Sequence, residues 1–170
     1  DYLKAAINRE VGATIFGYHV NNPENFGVIG FDENGEINSL DEKPIDPASN
    51  WAATGLYFYD DNVLEISKSI LPSSRGELEI TDINKVYLKK GDLTVDLLGR
   101  GFAWLDTGTP ESLLDAGHFV QTVEQRQGLK IACLEEIAYH QGWISNQRLM
   151  QQAEKYKQTS YGEYLRKVAS

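Results

Sequence analysis

Residues 51–59 read Trp51-Ala52-Ala53-Thr54-Gly55-Leu56-Tyr57-Phe58-Tyr59, and Asp60-Asp61 separate them from Val63, Leu64, Ile66 and Ile70. The first run carries the aromatic residues that suit a pleated, half-buried surface. The second spaces its apolar residues at helical intervals. A strand leading through two aspartates into an amphipathic helix is therefore predicted, with Asp60 or Asp61 able to cap the first turn. Upstream, Ala13-Thr14-Ile15-Phe16-Gly17-Tyr18-His19-Val20 reads as a buried strand. Phe26–Phe31 and Glu36–Leu40 flank Asp32-Glu33-Asn34-Gly35, and Asn-Gly between two such runs is a strong hairpin signal. Downstream, Glu79–Lys89 has helical spacing ending at Gly91, and Leu93–Leu98 and Phe102–Leu105 read as short strands. Pro110 suits the first turn of a helix running to about Gln125, and the pattern from Leu134 onward is helical and polar-rich. Strands alternating with helices predict an α/β sheet with an inserted hairpin and a helical C-terminal appendage.

The 170 residues fit one ordinary domain, and no repeat, low-complexity tract or Pro/Gly linker divides them. A single domain over 1–170 is expected, with a sheet core to about 127 and a helical region over 128–170. The net charge of −9 argues against a nucleic-acid polymer as partner, which needs a basic face. It leaves room for a small phosphorylated ligand held by a few local cations. The lone Cys133 cannot form an internal disulfide, so a cytoplasmic setting is the default. No stretch approaches 18 uncharged apolar residues, so no membrane span is expected. Asp1 to Asn8 has the spacing of a helix already under way, and without an initiator methionine a fragment is the expectation.

Three segments combine charge with flexible backbone at strand ends, where α/β folds place ligands. In Asp41-Glu42-Lys43-Pro44, Lys43 offers a compact cation for phosphate and Glu42 can accept hydrogen bonds from hydroxyls. For the triplet alone, a solvated turn is the simpler reading. In Ser73-Ser74-Arg75-Gly76-Glu77-Leu78-Glu79-Ile80-Thr81-Asp82, Arg75 is a planar phosphate donor beside an approachable glycine. The alternative is a capped helix with an incidental arginine. In Trp104-Leu105-Asp106-Thr107-Gly108-Thr109-Pro110, Asp106 is placed to meet Mg²⁺ from a strand end, although Asp106 or Thr109 could instead cap the helix. One carboxylate alone holds Mg²⁺ poorly, so that reading requires further ligands. His19, His118 and His140 have no metal-ligand spacing, and no Walker-type loop, GxGxxG or GxSxG is present.

The order of these segments, with Thr54-Gly55-Leu56-Tyr57-Phe58-Tyr59-Asp60 between the first two, resembles the glucose-1-phosphate thymidylyltransferases (dTDP-glucose pyrophosphorylases). The resemblance extends through Glu124-Gln125-Arg126-Gln127-Gly128-Leu129-Lys130 and Glu135-Glu136-Ile137-Ala138-Tyr139. It implies part of a Rossmann-like mixed sheet of the nucleotide-diphospho-sugar transferase kind. It also implies transfer of a deoxythymidylyl group from dTTP to glucose 1-phosphate, giving dTDP-glucose and pyrophosphate for a dTDP-rhamnose type pathway. By resemblance, Phe26, Gly27, Glu42, Lys43, Tyr57 and Arg75 line the sugar-phosphate pocket, with Lys43 and Arg75 catalytic and Asp106 one of two Mg²⁺ ligands. Arg100, Ile131 and Glu136 resemble a regulatory nucleotide site at a subunit contact, and the family's tetramers imply a homo-oligomer. Phe26 stands where the family often has tyrosine. The family's Gly-rich triphosphate loop and second metal aspartate have no counterpart in these residues, so the chain alone is expected to be inactive.

Overall fold

Ile15 and Phe16 are adjacent and both wholly buried. Consecutive strand residues point to opposite faces, so the strand that carries them, β1 (Ala13–His19), is covered on both sides. Burying a side chain of this size stabilises the fold by roughly 1.5–3 kcal/mol. The structure, a computed structural model, describes residues 2–170. Asp1, where the N-terminal helical spacing opens, lies outside the described residues.

The described residues form two compact units, the first ending at Trp104 and the second spanning Leu105–Ser170. In the first, a short helix α1 (Tyr2–Ile7) precedes β1. The hairpin consists of β2 (Gly27–Phe31) and β3 (Ile37–Glu42), followed by β4 (Trp51–Tyr59), helices α2 (Val63–Ser69) and α3 (Ile80–Lys90), and β5 (Leu93–Leu98). The five strands lie in the order β3-β2-β4-β1-β5, with β1 parallel to β5 and the other pairings antiparallel. The hairpin turn forms where Asn34-Gly35 predicts it. Gly35 takes a φ of 82°, and the Asp32 carboxylate accepts the Asn34 and Glu36 N–H groups.

Ile15, Ile29 and Leu40 form one buried cluster, with Trp51, Tyr57 and Val95 packed against it. Ala13, Ile66, Ile83 and Tyr87 form another, which seats α2 and α3. Gly91 ends α3 in the left-handed conformation, as the sequence predicts.

Two expectations change. Phe102–Leu105 forms no strand, because its aromatic residues are spent on ring contacts and not on a backbone ladder. Phe102 meets Tyr2 edge-on at 5.4 Å, and Trp104 lies against Tyr18 and Phe26. Asp60 is not the N-cap of α2; that position is Asn62, which makes no side-chain cap bond. The Asp60 carboxylate accepts the Gly12 N–H (2.9 Å), the Tyr87 hydroxyl (2.7 Å) and both nitrogens of Asn62 (3.0 Å each).

The second unit begins with α4 (Pro110–Gln127), whose Thr109 cap and Ser112 exchange hydrogen bonds in a capping box. The contact pattern thus places α4 with the helices that follow it. Those are α5 (Leu134–His140), α6 (Asn146–Lys155) and α7 (Ser160–Ala169), gathered on a core of Cys133, Leu149, Ala153, Tyr164 and Leu165. Gly162 is where α7 meets the end of α6. A Cβ there would stand 2.2 Å from the Tyr156 carbonyl oxygen and 3.0 Å from that of Ala153.

Two expectations for stability follow from these contacts. Gly162→Ala lowers the stability of the helical unit by about 1–3 kcal/mol, read by chemical denaturation with far-UV circular dichroism, because backbone must move to admit the methyl group. Asp60 is held down from 3.8 to about 2, chiefly by the Tyr87 hydroxyl and then by the Gly12 N–H. A depressed carboxylate contributes stability that is complete above its unfolded value and is lost as pH falls through its folded one. Between 3.8 and about 2 the wild-type chain therefore loses stability more steeply than Asp60→Asn, in denaturation midpoints taken across that range.

Candidate functional site

β3 ends at Glu42, and Lys43 immediately leaves the strand with a φ of 45°. Positive φ is costly for a residue with a Cβ and persists only where surroundings enforce it. The Lys43 N–H is held here by donating to the Phe26 carbonyl (2.9 Å). Glu42 is fixed from the other side, where the Thr81 hydroxyl at the start of α3 donates to its Oε2 at 2.5 Å. Thr81 is itself buried. Gly27, paired with Glu42 across the hairpin, leaves space for this bond. A Cβ at Gly27 would lie 3.1 Å from Thr81 Oγ1 and 3.3 Å from Glu42 Oε2.

These elements open onto a cleft of about 360 Å³, lined among others by Glu42, Pro44, Ser73, Arg75 and Glu79. Arg75 precedes Gly76, which takes a φ of 78° in the turn before α3. The guanidinium reaches back to the helix. Its Nε and Nη2 donate to Glu79 Oε1 at 3.2 and 3.0 Å, and Nη2 also donates to Glu77 at 2.8 Å. Glu79 caps nothing with its side chain, which instead also accepts the Ser73 hydroxyl at 2.9 Å. Its pKa is pushed down by that hydroxyl, then by Arg75 and by the charge of Lys43. Loss of water opposes the charge on Arg75, yet Glu79, Glu77 and Glu42 together hold its pKa above the usual value. Burial, and then the Glu42 charge, raise the pKa of Tyr57. At the rim, Lys85 stands 3.5 Å from Asp41 and 3.8 Å from Asp82.

The structure thus brings Gly27, Glu42, Lys43, Tyr57 and Arg75 into one neighbourhood, with Arg75 exposed and ion-paired to Glu77 and Glu79. Phe26 contributes its carbonyl to Lys43, while its ring packs edge-on against Trp104 at 5.0 Å. Sequence reasoning overlooked Ser73, Glu79 and Thr81 as parts of the site. The spacing of Arg75 and Glu79, four apart, was a usable signal for one of them. Nothing local marks the Thr81–Glu42 pair, which spans 39 positions.

Asp106 belongs to the second unit. Its Oδ2 accepts only a long hydrogen bond from Gly108 N–H (3.3 Å), while Thr109 performs the capping of α4. Asp106 is exposed and uncommitted, which fits one ligand of Mg²⁺, an ion that usually takes one or two carboxylates and completes its shell with water and phosphate. Among the described residues, no group of three or more His, Cys, Asp or Glu side chains could hold a metal by itself.

Arg100 borders a different cavity of about 300 Å³, beside Tyr18, His19 and Trp51. In the second unit, the Ile131 N–H donates to Glu124 (3.0 Å), and Glu136 accepts the Tyr164 hydroxyl (2.7 Å).

The structure shows a mixed sheet with cations beside carboxylates at its strand ends, and sequence comparison supplies the class. Residues 1–123 match the nucleotidyl transferase family, and the chain belongs to it. More particularly, it is 55% identical over 163 residues to a glucose-1-phosphate thymidylyltransferase of Neisseria gonorrhoeae, across 96% of this chain and 57% of that protein. The enzyme of the same name from Mycobacterium tuberculosis H37Rv is 52% identical over 154 residues, 91% of this chain and 54% of its own length. The chain therefore spans just over half the length of these curated relatives. Among solved structures, a Bacillus anthracis glucose-1-phosphate thymidylyltransferase in complex with sucrose superposes with a TM-score of 0.61 at 42% identity, covering 69% of this chain and 47% of that one. A UDP-glucose pyrophosphorylase complexed with UDP-glucose gives 0.57 at 25% identity, covering 65% and 44%. The expected mixed α/β architecture is that of these nucleotidyltransferases.

Replacing Lys43 by glycine tests the strain directly. Lys43→Gly removes the Cβ that strains the backbone, so its thermal midpoint is expected to equal or exceed that of wild type.

Proposed function

We propose that this chain supplies the sugar-phosphate side of an enzyme that transfers a deoxythymidylyl group from dTTP to glucose 1-phosphate, yielding dTDP-glucose and pyrophosphate. The observation that carries this reading is the cleft in which Glu42, fixed by Thr81, lies in the same charged neighbourhood as Arg75 and Lys43. A ligand that combines hydroxyls with a phosphate matches that arrangement. Arg75 and Lys43 take the phosphate, and Glu42 Oε1, left over from the bond to Thr81, accepts a sugar hydroxyl. Tyr57 lies near enough to Glu42 to feel its charge.

In the reaction, an oxygen of the sugar phosphate attacks the α-phosphorus of dTTP. The new P–O bond forms as the bond to the β-phosphate oxygen breaks, and pyrophosphate leaves. The contribution of Arg75 and Lys43 is to orient the attacking oxygen and to offset charge repulsion between the two phosphorylated substrates. Mg²⁺, with Asp106 as one ligand, would neutralise charge on the nucleotide phosphates.

Alone, the 170-residue chain binds sugar phosphate without turnover, a reading supported by its span of just over half its relatives. The same resemblance supports a cytoplasmic homo-oligomer that serves nucleotide-sugar synthesis of the dTDP-rhamnose type, with Arg100, Ile131 and Glu136 in a regulatory nucleotide site. Among the described residues no helix is long and apolar enough to cross a membrane.

Calorimetric titration with glucose 1-phosphate tests the site directly. Wild type should bind, and Arg75→Ala should not. In an enzyme that carries both portions, Lys43→Ala or Arg75→Ala should lower turnover by about 10²–10³, as for loss of one transition-state donor. Retained binding and near-normal turnover in both variants would overturn the assignment. For the metal, Mn²⁺ serves as a paramagnetic probe. It should broaden NMR resonances around Asp106 in wild type and spare them in Asp106→Asn.

A further inference from the structure

Arg75 Nη2 serves two carboxylates, and they are held very differently. Glu79 is 11% exposed, and its Oε1 accepts from the Ser73 hydroxyl as well as from two Arg75 nitrogens. Moving it would break three hydrogen bonds at once. Glu77 is 66% exposed and touches Arg75 through a single contact of 2.8 Å. Among the described residues, that contact is the one hydrogen bond its carboxylate makes. An exposed, single-contact ion pair contributes little, because water and salt compensate for its loss. Glu77 therefore marks, on the guanidinium, a position that an anion can occupy and leave.

Resting on the sugar-phosphate reading of this cleft, we propose that Glu77 is a displaceable guard on the outer edge of Arg75, which a phosphate must replace to take Nη2 together with Nη1 while Glu79 keeps the guanidinium in place. Among the described residues Nη1 makes no hydrogen bond, so Glu77 guards the two-point contact and not the whole cation. A phosphate dianion offers several oxygens and more charge than the carboxylate it expels, so it gains on replacing Glu77. A neutral sugar gains nothing there, and Nη2 stays paired with Glu77. The guard thus favours phosphorylated over free sugars, and it does so at the expense of affinity, since two-point binding must first break the Arg75–Glu77 pair.

Calorimetry on the 170-residue chain, with glucose 1-phosphate as probe at fixed ionic strength, reads this competition. Glu77→Gln and Glu77→Ala should bind roughly three- to fivefold more tightly than wild type, since removing the competing charge frees one N–H of Nη2 while the other stays on Glu79. Glu77→Asp keeps the charge and should stay within about twofold of wild type. In arginine-selective NMR, the Arg75 Nε–H resonance, which reports the bond to Glu79, should hold its position in Glu77→Gln and shift only when ligand is added. Unchanged or weaker binding by Glu77→Gln and Glu77→Ala, with binding lost in Arg75→Ala, would overturn the guard and leave the sugar-phosphate site standing. Binding by Arg75→Ala as tight as wild type, or binding by no chain at all, would overturn both.

Discussion

The Asp60 carboxylate is the junction on which the first unit depends. It joins the Gly12 N–H before β1 and the Asn62 N–H before α2 to the Tyr87 hydroxyl on α3. The backbone closes the same junction from other directions. The Asp60 N–H donates to the Gly12 carbonyl, and the Ala13 N–H to the Asp92 carbonyl, at 3.0 and 2.8 Å. Gly12 is confined by this crowding. At a φ of 88°, its absent Cβ would lie 2.3 Å from the Asp92 carbonyl oxygen. Both an L side chain's conformational preference and simple lack of space reserve the position for glycine.

From that junction a stack of tyrosines leads to the cleft. Tyr87 lies over Tyr59 at 5.6 Å, and Tyr59 over Tyr57 at 6.0 Å, with interplanar angles of 27° and 18°. Tyr59 is also tied to α3 by donating to Asn84 at 2.6 Å. Packed rings interdigitate in one arrangement and transmit displacement poorly tolerated by their neighbours. The stack therefore fixes the separation of α3 from β4. It thereby fixes where the first turn of α3 presents Glu79 and Thr81 to the end of the hairpin. The strained Lys43 backbone is affordable because this frame holds Glu42 on one side and Phe26 on the other.

The sequence displayed the parts of this frame better than its joints. β-Branched and aromatic runs located β1 and β4, Asn34-Gly35 located the hairpin turn, and Gly91 located the end of α3, because each depends on chemistry within a few residues. Phe102–Leu105 has the same composition as a strand, and only long-range ring contacts with Tyr2, Tyr18 and Phe26 show how it is used otherwise. Asp60 read as a local cap because a cap is all that neighbouring residues reveal; its bonds to Gly12 and Tyr87 span 48 and 27 positions. At the site, Glu42, Lys43, Tyr57 and Arg75 were legible through an ordered set of motifs. Thr81 was not, since its bond to Glu42 exists only once α3 has been laid against β3. For Asp106 the sequence left capping open, and the Thr109–Ser112 box resolves it by filling that role.

The acidic character of the chain is compatible with phosphate binding because the relevant charges are paired locally. Along the cleft, Arg75 is matched by Glu77 and Glu79, and Lys85 by Asp41 and Asp82. Such pairs keep the cations from acting as a general anion trap, and a long polyanion would have to break several of them at once while facing a net charge of −9. A single phosphate would need only one to open. In the proposed reading, the hydroxyls of the same ligand would meet carboxylate oxygens that are already oriented, so the acidic groups that repel a polymer would become the acceptors that favour a sugar. Selectivity would then come from carboxylates placed beside cations, each side chain restraining the group next to it until a ligand bearing both chemistries arrives.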